Sequence, residues 1–199
     1  DWRSRMGFQA TDFVALYAGI IGYAQGLDVI LHAANQLRDE PRLHCVLLGS
    51  GPEKERLMAL AQELQLSNIH FLDPVVKSEM PAIITASDAA IIPLKKLDLF
   101  LGAIPSKTFE NMMLRKPILL GVDGEARTLF IEQGKGGLYF EPENVDQLAD
   151  GIRQLMHHPE TCKEFGEQGS RYVQSHFDLD RIAERFKSTV EQQWNHRKG

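Results

Sequence analysis

Short apolar runs alternate along the chain with segments whose apolar residues recur every three to four positions. The apolar runs predict strands at 13–20, 44–49, 68–73, 89–94, 117–122 and 137–140. The segments between them predict helices at 26–39, 52–65, 76–88, 106–116 and 124–134. Strands that are apolar at almost every position are typical of a parallel sheet covered by helices on both faces. The pattern therefore predicts an α/β protein with a Rossmann-like, doubly wound parallel sheet of about six strands.

The last third of the chain shows only the helical pattern. It predicts helices at 145–158, 159–177 and 178–194, with no repeat and no Pro/Gly-rich linker before them. We therefore expect one domain, 1–199, with terminal helices from about residue 144. Ile182, Phe186 and Val190 recur every four residues and are predicted to pack partly on a domain outside this chain, since the opening DWRSRMGF reads like a point within a longer protein.

Composition excludes several classes of protein. Apolar residues make up 43% and charged residues 25% of the chain, as in an ordinary globular protein. The net charge of -5 does not suggest a nucleic-acid partner. The 2 cysteines form no disulfide framework, and no apolar run is long enough to span a bilayer. We expect a cytoplasmic protein, with its full-length form peripheral at the inner face of the membrane.

Parallel sheets bind ligands at the carboxyl ends of their strands, and the loops there are informative. The loop after the first strand contains Gly19, Gly22 and Gly26, which allow a tight turn and a close approach to a ligand. The alternative is a plain strand-to-helix turn. The spacing does not match the G-x-G-x-x-G dinucleotide fingerprint.

The loop after the second strand is also rich in glycine. Gly49, Ser50 and Gly51 precede Pro52, a residue suited to the first turn of a helix. Exposed amides at this point would hold a phosphate or a sugar hydroxyl. The alternative is that Ser50 simply caps the following helix.

The third loop, PSKTFENMMLRKP at 105–117, places Lys107 and Glu110 on the first turns of a helix for which Ser106 is the predicted N-cap. The alternative is a solvated ion pair of neighbouring side chains. However, this helix begins just past the fourth strand and faces the same crevice as the glycine loops. A lysine at the positive end of a helix dipole is favourable when an anion lies in front of it.

Six segments, in this order, carry a family resemblance: YAGIIGYAQGLDVILHAA, CVLLGSGPEKERL, NIHFLDPV, ASDAAIIPL, IPSKTFENMMLRKPILLG and GLYFEPENVDQLADGIRQLM. Together they resemble the C-terminal half of a retaining glycosyltransferase of family 4, with the GT-B architecture. The AQG and PSK forms are similar to the bacterial branch for O-antigen, capsule and exopolysaccharide. In that family the C-terminal domain binds the nucleotide-sugar donor, the N-terminal domain binds the acceptor, and transfer occurs in the cleft between them.

The resemblance assigns roles to individual residues. Glu110 matches the second glutamate of the family's Glu-x7-Glu motif, which hydrogen-bonds the ribose hydroxyls of the donor. A carboxylate suits this task because it accepts hydrogen bonds from both hydroxyls of a diol. The glycine loops match those that line the diphosphate and the nucleoside, and the backbone after the third strand matches the part that contacts the base. The implied nucleotide-binding residues are Gly19, Gly22, Gln25, Gly49, Ser50, Gly51, Val75, Val76, Ser106 and Glu110.

The chain departs from the family pattern at two places. The first glutamate of the motif falls at Gly102, with Asp98 as a nearby substitute. The basic pair of the family's first loop is replaced by Ile20 and Gln25. A nucleoside diphosphate gains negative charge as it leaves, and that charge needs a positive group. We therefore predict that Lys107, at the helix N-terminus, is the catalytic residue that stabilises the leaving group.

The resemblance implies transfer with retention through an oxocarbenium-like transition state, in which the acceptor attacks from the side of the leaving group. The implied partners are a nucleotide-diphosphate sugar as donor, a sugar or lipid-linked acceptor, and an N-terminal acceptor-binding domain absent from these 199 residues. No metal or other cofactor is expected. Without the N-terminal domain, we expect the chain to be inactive in transfer.

Two other functions stay open. The first is a catalytically inactive nucleotide-binding or regulatory module with the same fold, which the loss of the first glutamate at Gly102 favours. The presence of Lys107 and Glu110 argues against it. The second is half of a Rossmann-type oxidoreductase, which the absence of the dinucleotide fingerprint disfavours.

Overall fold

Within residues 2–196, which the computed structural model describes, six strands form a single sheet in which every pair is parallel. Their order across the sheet is β3-β2-β1-β4-β5-β6. This arrangement confirms the predicted doubly wound sheet, and each strand agrees with its prediction to within about two residues. The strands are β1 (Phe13–Ala18), β2 (Leu43–Leu48), β3 (Ile69–Leu72), β4 (Ala89–Pro93), β5 (Ile118–Gly121) and β6 (Gly137–Tyr139).

Helices cover both faces of the sheet and form the carboxyl-terminal part of the described chain. The predicted helix at 124–134 is α6 followed directly by a π-helical stretch, Thr128–Gln133. Short 3₁₀ turns lie at Tyr23–Gln25, Lys77–Glu79 and Asp98–Phe100. The helices are α1 (Trp2–Met6), α2 (Asp28–Gln36), α3 (Lys54–Glu63), α4 (Met80–Ala86), α5 (Ser106–Met113), α6 (Glu125–Arg127), α7 (Val145–His157), α8 (Pro159–His176) and α9 (Leu179–His196).

Strand β1 shows why the strands are apolar at nearly every position. Side chains alternate between the two faces of a strand. Val14 and Leu16 pack on one face in a cluster with apolar residues of α1 and α4. Ala15 and Tyr17 pack on the other face with residues of α2 and α7. Both faces are buried, and each large apolar side chain removed from water contributes roughly 1.5–3 kcal/mol.

The chain reverses its direction across the sheet beside β1. Strand β1 pairs with β2 on one side and with β4 on the other. Ligands of open parallel sheets bind beyond the carboxyl ends of the strands at such a switch point. The loops after β1, β2 and β3 and the amino end of α5 therefore meet at the edge where a site is expected.

The sequence pattern did not predict the first helix, α1. Trp2 is buried and packs edge-on against Phe8, with ring centroids 5.9 Å apart. Arg3 donates a hydrogen bond of 2.7 Å from its Nε to the carbonyl of Ala86 and forms an ion pair with Asp88. These contacts fix the start of the described chain against the end of α4.

The predicted N-cap of α5 is wrong, and the alternative in which Ser50 caps α3 is not observed. Pro105, not Ser106, holds the N-cap position of α5, since its ψ of 121° is extended while Ser106 is already helical. The proline ring presets φ at -65°, which suits the turn into the helix. Helix α3 begins at Lys54 with Glu53 at its cap position, so Ser50 lies too far upstream to cap it.

The apolar stripe of α9 lies on the surface. Ile182, Phe186 and Val190 are exposed. Burial of this stripe against the chain's own sheet would have excluded the predicted contact with another domain. The structure shows no such burial. That contact stays a prediction. Across residues 2–196, no helix has the length and apolar character needed to cross a lipid bilayer.

Candidate functional site

Two adjoining cavities open at the carboxyl edge of the sheet, beside β1 and the amino end of α5. The first cavity has a volume of about 340 Å³ and extends toward the end of β3. The second has a volume of about 500 Å³ and extends toward the end of β4. Both are lined by Ala18, Gly19, Ile20, Lys107 and Glu110. The predicted pair, Lys107 and Glu110, therefore lies at the junction of the two cavities.

The glycine loops after β1 and β2 are in direct backbone contact. A Cβ atom on Gly49, whose φ is +152°, would lie 1.9 Å from the carbonyl oxygen of Gly19. A Cβ atom on Gly51 would lie 2.2 Å from the carbonyl oxygen of Ile21, and Ile21 donates a hydrogen bond of 2.8 Å from its amide to the Ser50 carbonyl. A side chain at either glycine would therefore clash with the facing carbonyl and force the two loops apart. Glycine at both positions allows this contact, and Gly49 also leaves bare backbone on the wall of the first cavity, where a ligand can approach it closely.

Lys54 joins the ends of two strands beneath this wall. Its ammonium donates hydrogen bonds of 3.1 Å to the carbonyls of Gly49 and Leu72. It also forms an ion pair with Asp73 at 2.8 Å. These bonds connect the carboxyl ends of β2 and β3, so Lys54 is a positioning residue of the rim.

The ammonium of Lys107 lies over an aromatic ring. Its Nζ is 4.2 Å from the centroid of Tyr17, a fully buried residue of β1. The Tyr17 hydroxyl donates a hydrogen bond of 2.5 Å to the Ile20 carbonyl, which fixes the ring. A Cβ atom on Gly19 would lie 2.7 Å from the Lys107 Nζ, so the lysine fits only beside a glycine. The ring face is a favourable surface for a cation.

Lys107 has no anionic partner in the described part of the chain. Within residues 2–196, no carboxylate lies within 4.0 Å of its ammonium, and the ammonium donates no hydrogen bond. Burial lowers the pKa of Lys107 to about 8, against a smaller raising effect of Glu110. Glu110 itself is exposed at the cavity mouth. A direct ion pair between the two residues is therefore not present, and no carboxylate among the described side chains offsets the loss of water around the ammonium.

The first cavity is apolar except at its ends. Pro74, Val75, Met80 and Ile84 line it between β3 and α4. Asn111 lines it from α5, one residue after Glu110 and almost fully buried. Apolar walls with a few polar groups are the usual construction of a small-molecule site.

The structure brings together most of the predicted nucleotide-binding residues but not all. Gly22 is the N-cap of the 3₁₀ turn at Tyr23–Gln25 and lines neither cavity. Gly51 serves the contact between loops, and Val76 is exposed beyond the cavity mouth. Of the predicted site residues, those among the lining of the first cavity are Gly19, Gly49, Ser50, Val75, Lys107 and Glu110, and those among the lining of the second are Gly19, Gln25, Ser106, Lys107 and Glu110.

Sequence reasoning missed Tyr17, Lys54 and Asn111. Tyr17 and Asn111 lie within patterns that read as a buried strand and an amphipathic helix. Lys54 is one of several charged residues at the start of α3. Their neighbours in the site come from distant parts of the chain, so no local pattern distinguishes them.

The position of the lost first glutamate is open to solvent. Gly102 is exposed, and a Cβ atom built on it would meet no atom within 4 Å. Asp98 lines a neighbouring cavity with Lys95 and Lys96 and neither of the two described above. Its predicted role as a substitute is therefore not supported by its placement.

Side chains suited to metal binding do not cluster within residues 2–196, where no group of three or more His, Cys, Asp or Glu residues could hold an ion. Cys45 is buried and Cys162 is half-buried, and both thiols are free. Burial raises the pKa of each thiol to about 12, so both stay protonated at neutral pH.

The sequence profile of the family described as glycosyl transferases group 1 matches residues 1–172. The chain belongs to this family. The D-rhamnosyltransferase WbpZ of Pseudomonas aeruginosa is 29% identical to it over 174 residues, which are 87% of the chain and 43% of WbpZ. WcaI of Escherichia coli K12, named as a colanic acid biosynthesis glycosyl transferase, is 30% identical over 171 residues, which are 83% of the chain and 42% of WcaI. This group 1 chain thus spans less than half the length of both relatives.

Solved structures share the fold of this group 1 chain. Anabaena HepE in complex with UDP-glucose matches 96% of the chain and 51% of HepE, with a TM-score of 0.81 and 20% identity. Sucrose-phosphate synthase of Thermosynechococcus elongatus matches 98% of the chain and 48% of the synthase, with a TM-score of 0.81 and 21% identity. The chain has the fold of one half of a GT-B enzyme, as predicted.

Proposed function

We propose that this chain is the donor-binding domain of a retaining glycosyltransferase, and that a nucleotide-diphosphate sugar binds where the two cavities meet. Its acceptor is assigned to the synthesis of cell-surface polysaccharide or glycolipid. The observation that carries the proposal is the half-buried Lys107 ammonium, which lies beside bare glycine backbone and has no anionic partner within residues 2–196.

In this proposal the diphosphate lies against Lys107 and the amino end of α5. The first amides of a helix have no intrahelical acceptor, so those of Ser106 and Lys107 are free to point at an anion. The closely packed Gly19 and Gly49 allow the phosphates to approach the backbone. Together these groups supply positive potential without the basic pair that Ile20 and Gln25 replace. The proposal therefore requires no metal ion or other cofactor.

The nucleoside is assigned to the first cavity. Glu110 stands at its mouth, where the carboxylate would accept hydrogen bonds from the ribose hydroxyls. The apolar walls at Pro74, Val75 and Met80 suit the faces of a base. HepE, which has the same fold, was solved in complexes with UDP and with UDP-glucose, and this supports the assignment.

The reaction breaks the bond between the anomeric carbon of the sugar and the diphosphate oxygen. The bonding electrons leave with the diphosphate, so negative charge grows next to the Lys107 ammonium. The acceptor hydroxyl forms its bond on the same face of the sugar and passes its proton to the departing diphosphate oxygen, so the anomeric configuration is retained. Lys107 therefore acts in the transition state more than in donor binding.

The acceptor site is assigned to a domain outside these 199 residues. The chain covers 43% of WbpZ and 51% of HepE, which supports a second part of similar length. In this proposal the exposed stripe of α9 packs on that part, and the full-length protein acts at the inner face of the membrane. The isolated chain should bind donor but transfer no sugar, and robust transfer by it alone would contradict the assignment.

Calorimetric titration with a nucleoside and its diphosphate tests the donor site. Lys107→Ala should weaken binding of the diphosphate by about 1–3 kcal/mol, in the range of hydrogen bonds to charged groups, and leave nucleoside binding nearly unchanged. Lys77→Ala, at an exposed lysine near the same edge, is the matched control for net charge. Equal diphosphate affinities for wild type, Lys107→Ala and Lys77→Ala would reject the proposed site.

A second function is favoured by one observation, the glycine at the position of the first motif glutamate. A nucleotide-binding module without transferase activity would keep the donor site and lack turnover. A screen of nucleotide sugars with the full-length protein, in which the anomer of each product is determined, separates the two functions. Products of retained configuration support the transferase, whereas donor binding without any turnover supports the inactive module.

A further inference from the structure

The second cavity lies between the loop after β1 and the loop that joins β4 to α5. The amide of Lys95 donates a hydrogen bond of 2.9 Å to the carbonyl of Ala24 and connects these two loops. Lys107 and Glu110 belong to the walls of both cavities. In the proposed function the diphosphate lies at this junction and the nucleoside lies in the first cavity. The sugar, on the other side of the diphosphate, must then enter the second cavity.

Polar side chains reach the second cavity mainly from one element. Ser106, Lys107 and Glu110 line it from the first turns of α5. Among residues 2–196, the only other side chain in this wall that forms hydrogen bonds is that of Gln25. Most of the remaining wall is apolar, and the loop before α5 contributes Leu94, Phe100, Ala103 and Ile104 to it.

The apolar part of this wall is accessible to a ligand. Ile20, which follows β1, is 69% exposed, and Ile104, just before α5, is 40% exposed. The acidic residue of the same loop, Asp98, lines a neighbouring cavity and not this one, and Gly102 has no side chain. A sugar in the second cavity therefore covers apolar surface that is in contact with water in the free protein.

Hydroxyl and methyl groups of a sugar respond differently to such a surface. A hydroxyl that is covered by isoleucine or phenylalanine loses its hydrogen bonds to water without replacement. A methyl group gains free energy when the same surface covers it. In a hexose, C6 is the position at which loss of the hydroxyl leaves a methyl group that projects from the ring. An apolar wall around the sugar therefore favours a hexose without the C6 hydroxyl.

We propose that the second cavity selects a 6-deoxyhexose as the donor sugar, and that the wall formed by Ile20, Phe100 and Ile104 contacts its methyl group. The polar side chains of Ser106 and Gln25 are then available to the ring hydroxyls that remain. The corresponding hexose enters the same cavity but binds more weakly, because its C6 hydroxyl loses water there. This inference rests on the proposed function of the two cavities.

Calorimetric titration with UDP, GDP, ADP, CDP and TDP first identifies the base that the chain binds. Two matched pairs of donors with that base follow, glucose against 6-deoxyglucose and mannose against 6-deoxymannose. The members of a pair differ by one oxygen atom, so neither the base nor the diphosphate explains a preference. In at least one pair the 6-deoxy sugar should bind about fivefold or more tightly, short of the roughly 100-fold of a closed apolar pocket. Equal affinities within both pairs, or tighter binding of both hexoses, would overturn the inference.

Variants of the wall locate the preference. Ile104→Gln and Ile20→Gln each place a hydrogen-bonding group in the apolar wall at an exposed position, where a polar side chain is compatible with the fold. In at least one of them the preference should shrink to within about twofold. Leu99→Gln is the matched control, because Leu99 lies on the same loop, is 83% exposed and lines neither cavity. An unchanged preference in both wall variants, or its loss in Leu99→Gln, would overturn the inference.

The outcomes also distinguish this inference from the proposed function. If wild type binds none of the five nucleoside diphosphates, the donor site and the choice of sugar both fail. If it binds one of them and Lys107→Ala weakens that binding, but hexose and 6-deoxyhexose bind equally, only the choice of sugar fails.

Discussion

Replacement of Lys107 by methionine should stabilise the protein and weaken its donor site. The pKa of Lys107 is lowered from 10.5 to about 8 by burial. At about 1.36 kcal/mol for each pKa unit, the charged form destabilises the fold by roughly 3 kcal/mol. Methionine keeps the length of the stem over Tyr17 without the charge. We therefore expect Lys107→Met to unfold at a higher denaturant concentration than wild type at pH 7.

The sign of the pH dependence follows from the same shift. Between pH 8 and 10.5 the unfolded chain binds more protons at Lys107 than the folded chain does. The contribution of Lys107 to the free energy of unfolding therefore increases as the pH rises through this range. The full penalty is present below pH 8. Lys107→Met should lack this rise. An Arg variant, Lys107→Arg, keeps the charge and should not gain stability at pH 7.

Binding of a nucleoside diphosphate should show the opposite trend. A bound anion favours the protonated lysine, so affinity should fall above pH 8 by up to about tenfold for each pH unit. The phosphate ionises well below this range and adds no change of its own. The measurements are calorimetric titrations and denaturant unfolding from pH 7 to 9.5 for wild type, Lys107→Met and Lys107→Arg. If wild type and Lys107→Met have the same pH profiles in both assays, the reasoning about Lys107 is refuted.

Three further predictions use other residues. Glu110→Gln should weaken nucleoside and nucleoside diphosphate alike by roughly 1.5–3 kcal/mol in calorimetry, with unfolding unchanged, whereas the control Glu79→Gln should change neither. Gly49→Ala should destabilise the fold by at least about 2 kcal/mol in denaturant unfolding, because its Cβ would meet the Gly19 carbonyl at 1.9 Å, while Gly102→Ala should be neutral. Burial, with a smaller effect of His44, lowers the pKa of His70 from 6.5 to about 4, so stability should fall by roughly 2–3 kcal/mol as pH drops from 6.5 to 4. His70→Phe should remove this loss, and the exposed His32→Gln should not.

The sequence by itself determined that helices cover a parallel sheet, and it determined which residue types stand in the loops at the carboxyl edge of that sheet. The strands β1, β2, β4 and β5 were predictable because burial on both faces requires apolar residues at successive positions, and this requirement is visible in a short window. The helix after β4 and the pair Lys107 and Glu110 on its first turns were equally local features. The glycine loops were also local features, although the local pattern did not show which of their glycines line a cavity.

Only the tertiary structure decided how these parts form a site. It placed Lys107 over Tyr17, 90 positions apart along the chain, and set Gly49 against Gly19. It showed that Gly22, Gly51 and Val76 lie outside the walls of both cavities. It also showed that the buried Asn111 Oδ1 has no hydrogen-bond partner among the described residues. The removal of water from the Lys107 ammonium and the lack of a donor near the Asn111 Oδ1 depend on atoms from several strands and helices at once. Periodicity along one segment contains no information about those distances, which is why the burial of the Lys107 ammonium over Tyr17 was found only in the folded chain.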